Sequence, residues 1–186
     1  HNLGAMTVGM MEEKLLTEGN STSIYETLPE KNMGNSGRLT YDFDNRYFAE
    51  FSYGYNGSEK FTGEKRYGFF PSFGVSWLMS NEKFFEPLKS VVSSLKLRGT
   101  WGLVGNDAIA DRSGRFFYLS DIAMGTSAAY RWGTSFMNAY NGYSVNRYAN
   151  PDITWEQSEK WNLGAEINFM NESLKFTGDF FRDVRS

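Results

Sequence analysis

The chain has 186 residues, a net charge of −3, no cysteine and an aromatic content of 17%. These features exclude disulfides, thiolate metal sites and a broad basic surface for nucleic acid, and no run approaches the roughly 18 apolar residues of a membrane-spanning helix. Many aromatic residues and glycines with only 4 prolines favour β-structure.

Seven segments show the alternation of a β-strand, in which one face is apolar and the other polar or small. In chain order their apolar positions are Met6, Val8 and Met10; Leu39, Tyr41 and Phe43; Tyr47 to Tyr55; Tyr67 to Met79; Leu95 to Leu103; Trp161 to Phe169; and Leu174 to Phe180. Several segments have about ten residues, the length that crosses a bilayer as a tilted strand. We therefore predict an all-β, antiparallel structure.

The connections between these segments are unequal in length. Tight turns are predicted at Asp44-Asn45 and at Asn171–Ser173, whereas long links at 12–36, 56–66 and 106–152 all fall at the opposite end. The remaining link, Asn81–Ser94, has apolar residues that predict a small amphipathic helix. Outer-membrane barrels have this asymmetry of short periplasmic turns and long extracellular loops. A soluble carbohydrate-binding β-sandwich also alternates and remains the alternative.

Six motifs in order resemble the SusC/RagA family of TonB-dependent outer-membrane transporters. They are YDFDNRYFAE at 41–50, YNGSEKF at 55–61, RYGFFPS at 66–72, Ser76-Trp77 with NEKF at 81–84, LKLRGTWGLVGN at 95–106, and NPDITWE at 150–156 with WNLG at 161–164. Each motif alone is weak, but the ordered series from Leu39 to Arg182 is specific.

The resemblance implies a 22-stranded barrel that is plugged by an N-terminal domain and covered by a SusD/RagB-like lipoprotein. It also implies energy from TonB, substrates that are mainly oligosaccharides or in some members peptides, and the outer membrane of a Gram-negative bacterium of the Bacteroidetes type. On this reading residues 1–186 are about seven strands of the barrel wall with a large extracellular loop at about 106–152, while the plug and the TonB-contacting region lie outside the sequence. A surface barrel without transport activity is a further alternative.

Opposite faces of the predicted wall carry different site residues. Trp and Tyr side chains near strand ends suit a membrane interface, which predicts this role for Tyr47, Tyr67, Trp77 and Trp101. A charge on the lipid side would cost about 2–4 kcal/mol at the bilayer midplane. The charged residues of the other face are therefore predicted to face the lumen: Glu50, Arg98, Glu166 and Asp179.

The long link 106–152 is the predicted functional loop. Its aromatic residues and an arginine suit either stacking on sugar rings or contact with a partner protein, and contact with the partner or within the loop is favoured. The candidate residues are Tyr118, Tyr130, Arg131, Trp132, Tyr140 and Tyr143.

Enzymatic and metal-binding readings find little support. The only histidine is His1, which excludes a histidine-based triad or cluster. Glu156 and Glu159 have an odd separation, so on a strand they point to opposite faces and cannot act as a carboxylate pair. Asn106-Asp107 with Asp111–Gly114 resembles a calcium loop only faintly. We expect no catalytic residue, no metal and no cofactor.

Overall fold

The computed structural model describes residues 1–15, 29–108, 116–134, 138–170 and 173–186. In these ranges the chain forms nine strands and three short 3₁₀ helices. The strands are β1 (Asn2–Lys14), β2 (Glu30–Phe43), β3 (Tyr47–Ser58), β4 (Tyr67–Leu78), β5 (Val92–Asn106), β6 (Asp121–Trp132), β7 (Asn138–Arg147), β8 (Glu156–Phe169) and β9 (Leu174–Arg185). The 3₁₀ helices are Gly63–Arg66, Met79–Asn81 and Lys83–Leu88.

Seven strands form one antiparallel sheet in the order β1-β2-β3-β4-β5-β8-β9, and all seven predicted segments fall within it. The strands β6 and β7 pair with each other as a separate two-stranded sheet inside the segment predicted as a loop. Their pairing contains several register shifts, which explains why the strict alternation used for the other strands did not reveal them.

The register aligns the apolar residues of the large sheet on one side, which we call the aromatic face. One row across neighbouring strands pairs Leu39 with Phe51, Phe51 with Phe73, Phe73 with Trp101, and Trp101 with Trp161. The intervening residues form the polar face. A one-residue slip would move the apolar side chains of a strand to the opposite face. The alignment of apolar residues between neighbouring strands therefore fixes the register.

The first strand is confirmed, but its apolar residues lie on the other side of the sheet. Met6, Val8 and Met10 pair with Arg38, Ser36 and Gly34 and therefore lie on the polar face. The stronger alternation of β2 sets the register, because Leu39 and Tyr41 must align with Phe51 and Ala49 of β3. The weaker stripe of β1 then points to the other side.

The end of the sheet that was predicted to carry tight turns holds the β2–β3 turn and the longer β4–β5 link. Asp44, Asn45 and Arg46 connect β2 to β3; Asp44 and Asn45 have the left-handed φ values of 55° and 50°, and the Arg46 N–H donates to the Phe43 carbonyl at 3.0 Å. The β4–β5 link contains two short 3₁₀ helices in place of the expected amphipathic helix. Pro87 interrupts helical hydrogen bonding, and the buried residues of the two 3₁₀ helices are Ser80 and Phe85. The predicted turn at 171–173 lies mostly outside the described residues.

The large sheet has one layer over its described residues. Its aromatic face is not covered: Phe73 is 51% exposed and Val75 62%. Among the residues whose side chains the structure describes, the buried apolar ones are Phe61, Phe70, Phe85 and Phe116, and none of these four belongs to the aromatic face. No described helix is long and apolar enough to cross a membrane. A sandwich would bury this face beneath a second sheet, so the alternative of a soluble β-sandwich is not supported.

Candidate functional site

The four residues that were predicted to face the lumen share the polar face and form two charge clusters. Glu50 pairs with Arg38 of β2 at 2.8 Å. Arg98 of β5 bonds Glu166 of β8 at 2.7 Å and reaches both oxygens of Asp179 on β9 at 2.7 and 2.8 Å. These charges are thus satisfied across strands by partners of opposite sign, which is the arrangement that cross-strand pairing favours.

Gly164 makes the longer of these bridges possible. It lies on β8 between Arg98 and Asp179, paired directly with both. A Cβ atom at Gly164 would come within 2.5 Å of Arg98 Nε and of Asp179 Oδ1. The arginine therefore crosses one whole strand because that strand has no side chain at the crossing point.

All four predicted interface aromatics lie on the aromatic face, as the alternation predicted. Tyr47 and Trp77 are paired and stacked at the tight-turn end, with ring centroids 6.2 Å apart. Tyr67 lies at the opposite end and stacks on Tyr55 at 5.4 Å. Trp101 is farther from a strand end and stacks on Phe73 within the sheet. That this face meets lipid stays a prediction.

Glu82 connects several segments at the tight-turn end of the sheet, a role that was not predicted from the sequence. It accepts hydrogen bonds from Tyr47 Oη at 2.6 Å, Trp77 Nε1 at 3.2 Å and Arg46 Nη1 at 3.1 Å. Arg46 also pairs with Asp44. The Asn81 side chain donates to the Asn45 carbonyl at 2.8 Å. The β4–β5 link is therefore tied to the β2–β3 turn by Glu82, whose side chain is only 12% exposed, and by Asn81.

The Glu82 contacts predict a dependence of stability on pH. The hydrogen bond from Tyr47, with those from Trp77 and Arg46, holds the pKa of Glu82 below its usual value of 4.5, although burial opposes the shift. A lowered folded-state pKa stabilises the fold above pH 4.5, and this contribution is lost as the pH falls through the folded pKa. We expect Glu82→Gln to lower the urea midpoint of the intact barrel at pH 7. Between pH 5 and pH 3 the variant should lose less free energy of unfolding than the wild-type barrel, because it lacks the carboxylate that becomes protonated. Equal pH profiles for the two proteins would contradict this role.

A second carboxylate lies on the aromatic face at the long-loop end. Glu159 Oε1 accepts from Trp101 Nε1 at 2.9 Å and from Trp161 Nε1 at 3.1 Å. Glu156 pairs with Asn106 on the polar face, whereas Glu159 pairs with Leu103. The predicted separation of these two glutamates is confirmed, so they do not converge on a common substrate bond.

A compact aromatic cluster forms the base of the long loops. Phe61 is fully buried, Phe70 is 7% exposed, and both rings lie 5.3 Å from the ring of Trp155. Trp155 Nε1 donates to the Arg66 carbonyl at 3.3 Å, although the two residues are 89 positions apart. The motifs YNGSEKF, RYGFFPS and NPDITWE therefore meet in one place, which we call the loop base.

Polar contacts extend the loop base to the start of the large loop. Ser58, 1% exposed, donates to Asp107 Oδ2 at 2.8 Å, and Lys60 Nζ donates to the Asp107 carbonyl at 3.0 Å. Lys65 Nζ bonds Asp152 at 2.8 Å, and this bond holds the pKa of Asp152 below its usual range. Asp107 thus has protein partners, while 111–114, the rest of the faint calcium motif, falls outside the described residues.

The β6–β7 hairpin, which lies between Asp107 and Asp152 in the sequence, has two unlike sides. Ile122 and Met124 pair with Val145 and Tyr143, which places four apolar side chains on one side. Met124 is 81% exposed and Tyr143 69%. The other side carries Ala123 paired with Ser144.

The predicted loop residues are distributed unevenly around this hairpin. Tyr143 belongs to its apolar side, and Tyr118 precedes it with its ring 5.9 Å from Phe116. Arg131 and Trp132 are exposed near its tip, whereas the side chains of Tyr130 and Tyr140 lie outside the described part of the chain. The structure does not bring the candidates together into one ligand-sized pocket over its described residues.

Comparisons with known proteins give a consistent picture. No family model matches the sequence. The chain is 34% identical over 138 residues to the TonB-dependent receptor SusC of Bacteroides thetaiotaomicron, an alignment that covers 73% of the chain and 13% of SusC. It is 24% identical over 188 residues to the TonB-dependent receptor P3 of Formosa agariphila, covering 97% of the chain and 16% of that protein.

Solved structures agree on the fold. The RagAB peptide transporter matches with a TM-score of 0.65 at 22% identity over 90% of this chain and 18% of the matched chain. The RagAB peptide importer in its closed-closed state matches with a TM-score of 0.67 at 19% identity, over 98% of this chain and 21% of the matched chain.

The single-layered antiparallel sheet is a segment of a transmembrane β-barrel of the outer membrane. Its homologues are SusC and other TonB-dependent receptors, and the chain is a barrel segment of a SusC/RagA-type TonB-dependent receptor from the outer membrane of Bacteroidetes. These relatives are receptors and transporters, a kind of protein that agrees with the expectation of no enzymatic activity. The chain spans about an eighth to a sixth of the length of these two curated relatives.

Proposed function

We propose that the receptor containing this chain imports oligosaccharides across the outer membrane, driven by TonB and assisted by a SusD-like lipoprotein, with peptides as the alternative substrate. The observation that carries the proposal is the 34% identity to SusC over 138 residues. The resemblance to RagAB supports the fold, since its identity is only 19% to 24%.

The aromatic face is the lipid-facing surface in this proposal. Among the described residues of β8, no charged side chain lies on that face from Trp161 to Phe169, and Glu159 marks the upper limit. About ten residues at ~3.3 Å each span ~33 Å along the strand. A strand tilt near 40° reduces this to a height of ~25 Å, the height of the apolar band on outer-membrane barrels. Glu159 with its two tryptophans then lies at the extracellular headgroup level.

The polar face is correspondingly the lumen wall. Its charges lie in pairs such as Arg38–Glu50 and Arg98–Asp179, so the wall is hydrated without presenting strong charge of one sign. Such a wall suits neutral, hydroxyl-rich solutes that must pass without being held tightly. This match favours oligosaccharides over charged peptides.

The β6–β7 hairpin supplies a contact for the lipoprotein in this proposal. An isolated two-stranded hairpin is marginal in water, and this one leaves Met124 and Tyr143 exposed on a shared side. Methionine and tyrosine are enriched at protein interfaces. A partner that covers this side would stabilise the hairpin and gain apolar contact.

We expect the double variant Met124→Glu/Tyr143→Glu to weaken binding of the lipoprotein at least ~10-fold, because two interface anchors are replaced by charges. The matched control Ala123→Glu/Ser144→Glu adds the same charges to the opposite side and should change binding little. The dissociation constant of the purified complex in detergent is the measurement. An equal loss in both variants would assign the effect to disruption of the hairpin and contradict a one-sided contact.

Import itself is tested in a strain from which the receptor gene is deleted. Restoring the intact receptor should restore TonB-dependent uptake and growth on oligosaccharides. Restored growth only on oligopeptides would assign the receptor to the alternative substrate class. A correctly inserted barrel that supports neither would favour the surface barrel without transport activity.

A further inference from the structure

The polar face carries an exposed aromatic ring on β9. Three phenylalanines lie on this face within the described strands of the large sheet: Phe48, Phe70 and Phe181. Phe70 is buried in the loop base and Phe48 is half-buried, whereas Phe181 is 74% exposed. Because strand side chains project away from the sheet plane, a further strand beyond β9 would cover only one side of this ring. Phe181 therefore presents an open aromatic surface.

Uncharged polar groups continue the row from Phe181 across the sheet. Phe181 pairs with Asn162 of β8, Asn162 with Thr100 of β5, and Thr100 with Gly74 of β4. Over the part of the chain that the structure describes, the Asn162 amide and the Thr100 hydroxyl have no hydrogen-bond partner. Their donors and acceptors are therefore available to a ligand. The row crosses three strand spacings, or ~14 Å, a length that fits roughly two or three linked sugar units.

Ion pairs border this row on both sides. Toward the long loops, Lys160 pairs with Asp183 at 3.4 Å. Toward the tight turns, Arg98 bonds Asp179 at 2.7 Å across Gly164. Because each charge is neutralised by its partner, the border does not select an ion. The four charged side chains are nevertheless a third to a half exposed, so they can still form hydrogen bonds with a neutral ligand.

A concave part of the polar face contains one end of the row. It has a volume of about 850 Å³, and its lining includes Gly74, Thr100 and Lys160. This volume is in the range of small-molecule sites. Asn162 and Phe181 extend the row from Thr100 past the boundary of this hollow. The aromatic ring therefore stands beside the hollow, where it can contact one unit of a chain that continues into the hollow.

We infer that Phe181, Asn162 and Thr100 form a low-affinity subsite for a neutral oligosaccharide on the lumen wall. The inference rests on the proposed function, because it requires the polar face to meet the transported solute, and it adds the place where a sugar unit binds. A sugar ring has an apolar face of C–H groups and hydroxyls around its edge. The C–H groups pack on the Phe181 ring, and the hydroxyls exchange hydrogen bonds with the polar row and its bordering ion pairs.

The test uses para-fluorophenylalanine as a local probe in the intact receptor, introduced at position 181 or, as the matched control, at position 180. Phe180 is 71% exposed on the aromatic face of the same strand. The receptor is titrated in detergent with unbranched hexasaccharides of glucose, of mannose and of xylose. We expect a hexasaccharide that the receptor takes up to shift the fluorine NMR resonance at position 181 saturably and to leave the resonance at position 180 unchanged.

A substitution in the polar row tests the contribution of the neighbouring strand. Asn162→Ala should raise the hexasaccharide concentration at the half-maximal shift about 5-fold, the effect of one lost hydrogen bond. Leu163→Ala changes the adjacent position on the aromatic face and should leave that concentration unchanged. An equal response to the two substitutions would contradict a site on the polar face.

Other outcomes would overturn the inference in distinguishable ways. Uptake of a hexasaccharide without a shift at position 181 refutes the subsite and leaves the proposed function intact. Equal shifts at positions 180 and 181 indicate a change in the whole barrel, and an equal shift with an uncharged hexapeptide removes the preference for sugars. A receptor that takes up oligopeptides and none of the hexasaccharides refutes the proposed function, and the subsite with it.

Discussion

Leu163→Arg is expected to destabilise the intact barrel by about 2–4 kcal/mol, the cost of an arginine on the lipid face near the bilayer midplane. Leu163 lies on the aromatic face of β8 between the Glu159 level and the end of the strand at Phe169, and it is 61% exposed. In a membrane this exposure is to hydrocarbon, where a guanidinium loses its hydration. The measurement is equilibrium unfolding in urea after insertion into lipid vesicles.

The neighbouring substitution Asn162→Arg supplies the matched control. Asn162 pairs with Thr100 and Phe181 on the polar face, one position away along the same strand. An arginine at position 162 extends into the hydrated lumen, so it should lower the free energy of unfolding by much less than an arginine at position 163. Similar costs at both positions would show that the two faces meet the same environment, and the barrel assignment of the faces would be wrong.

The loop base predicts the second large effect. Phe61 is fully buried against Trp155, so Phe61→Ala removes a complete ring and leaves a cavity, at an expected cost of about 3–5 kcal/mol. Because the loop base holds the ends of the large loop, we expect this loss as faster protease cleavage within residues 106–155 while the strand pairing of the sheet persists.

Phe84→Ala is the corresponding control for a phenylalanine outside a core. Phe84 is 61% exposed and touches the ring of Trp77. Its truncation should leave protease sensitivity of the large loop unchanged. If Phe61→Ala also leaves it unchanged, the aromatic cluster does not hold the loop.

The strands and their faces could be predicted from the sequence, because side chains that alternate with a period of two lie on the same side of a strand. Tyr47 to Tyr55 and Trp161 to Phe169 each repeat the pattern over about ten residues, so a single exception such as Phe48 does not obscure it. The pattern found the strand at Met6, Val8 and Met10 but not its face, because β1 alternates in the opposite phase and only its pairing with β2 decides the face.

The contacts between distant segments could not be predicted from the sequence in the same way. Two of the three partners of Glu82, Arg46 and Tyr47, lie 36 and 35 residues earlier, and Asp107 bonds Ser58 from 49 residues earlier. No local periodicity encodes such distances. The motif series did contain Ser58, Phe61 and Trp155, but their meeting point became clear only once β3, β4, β5 and β8 were placed side by side.

The loop base also has a consequence for how this wall can diversify. It joins residues on both sides of the large loop, from Asp107 to Asp152 and Trp155, and the loop between them makes no pairing with the seven-stranded sheet in its described parts. Lengthening a closed loop costs little, about 0.6 kcal/mol for each doubling. Segments of different length and composition can therefore be exchanged above the loop base with little effect on the folding of the barrel, so that outward recognition and membrane insertion are subject to separate selection.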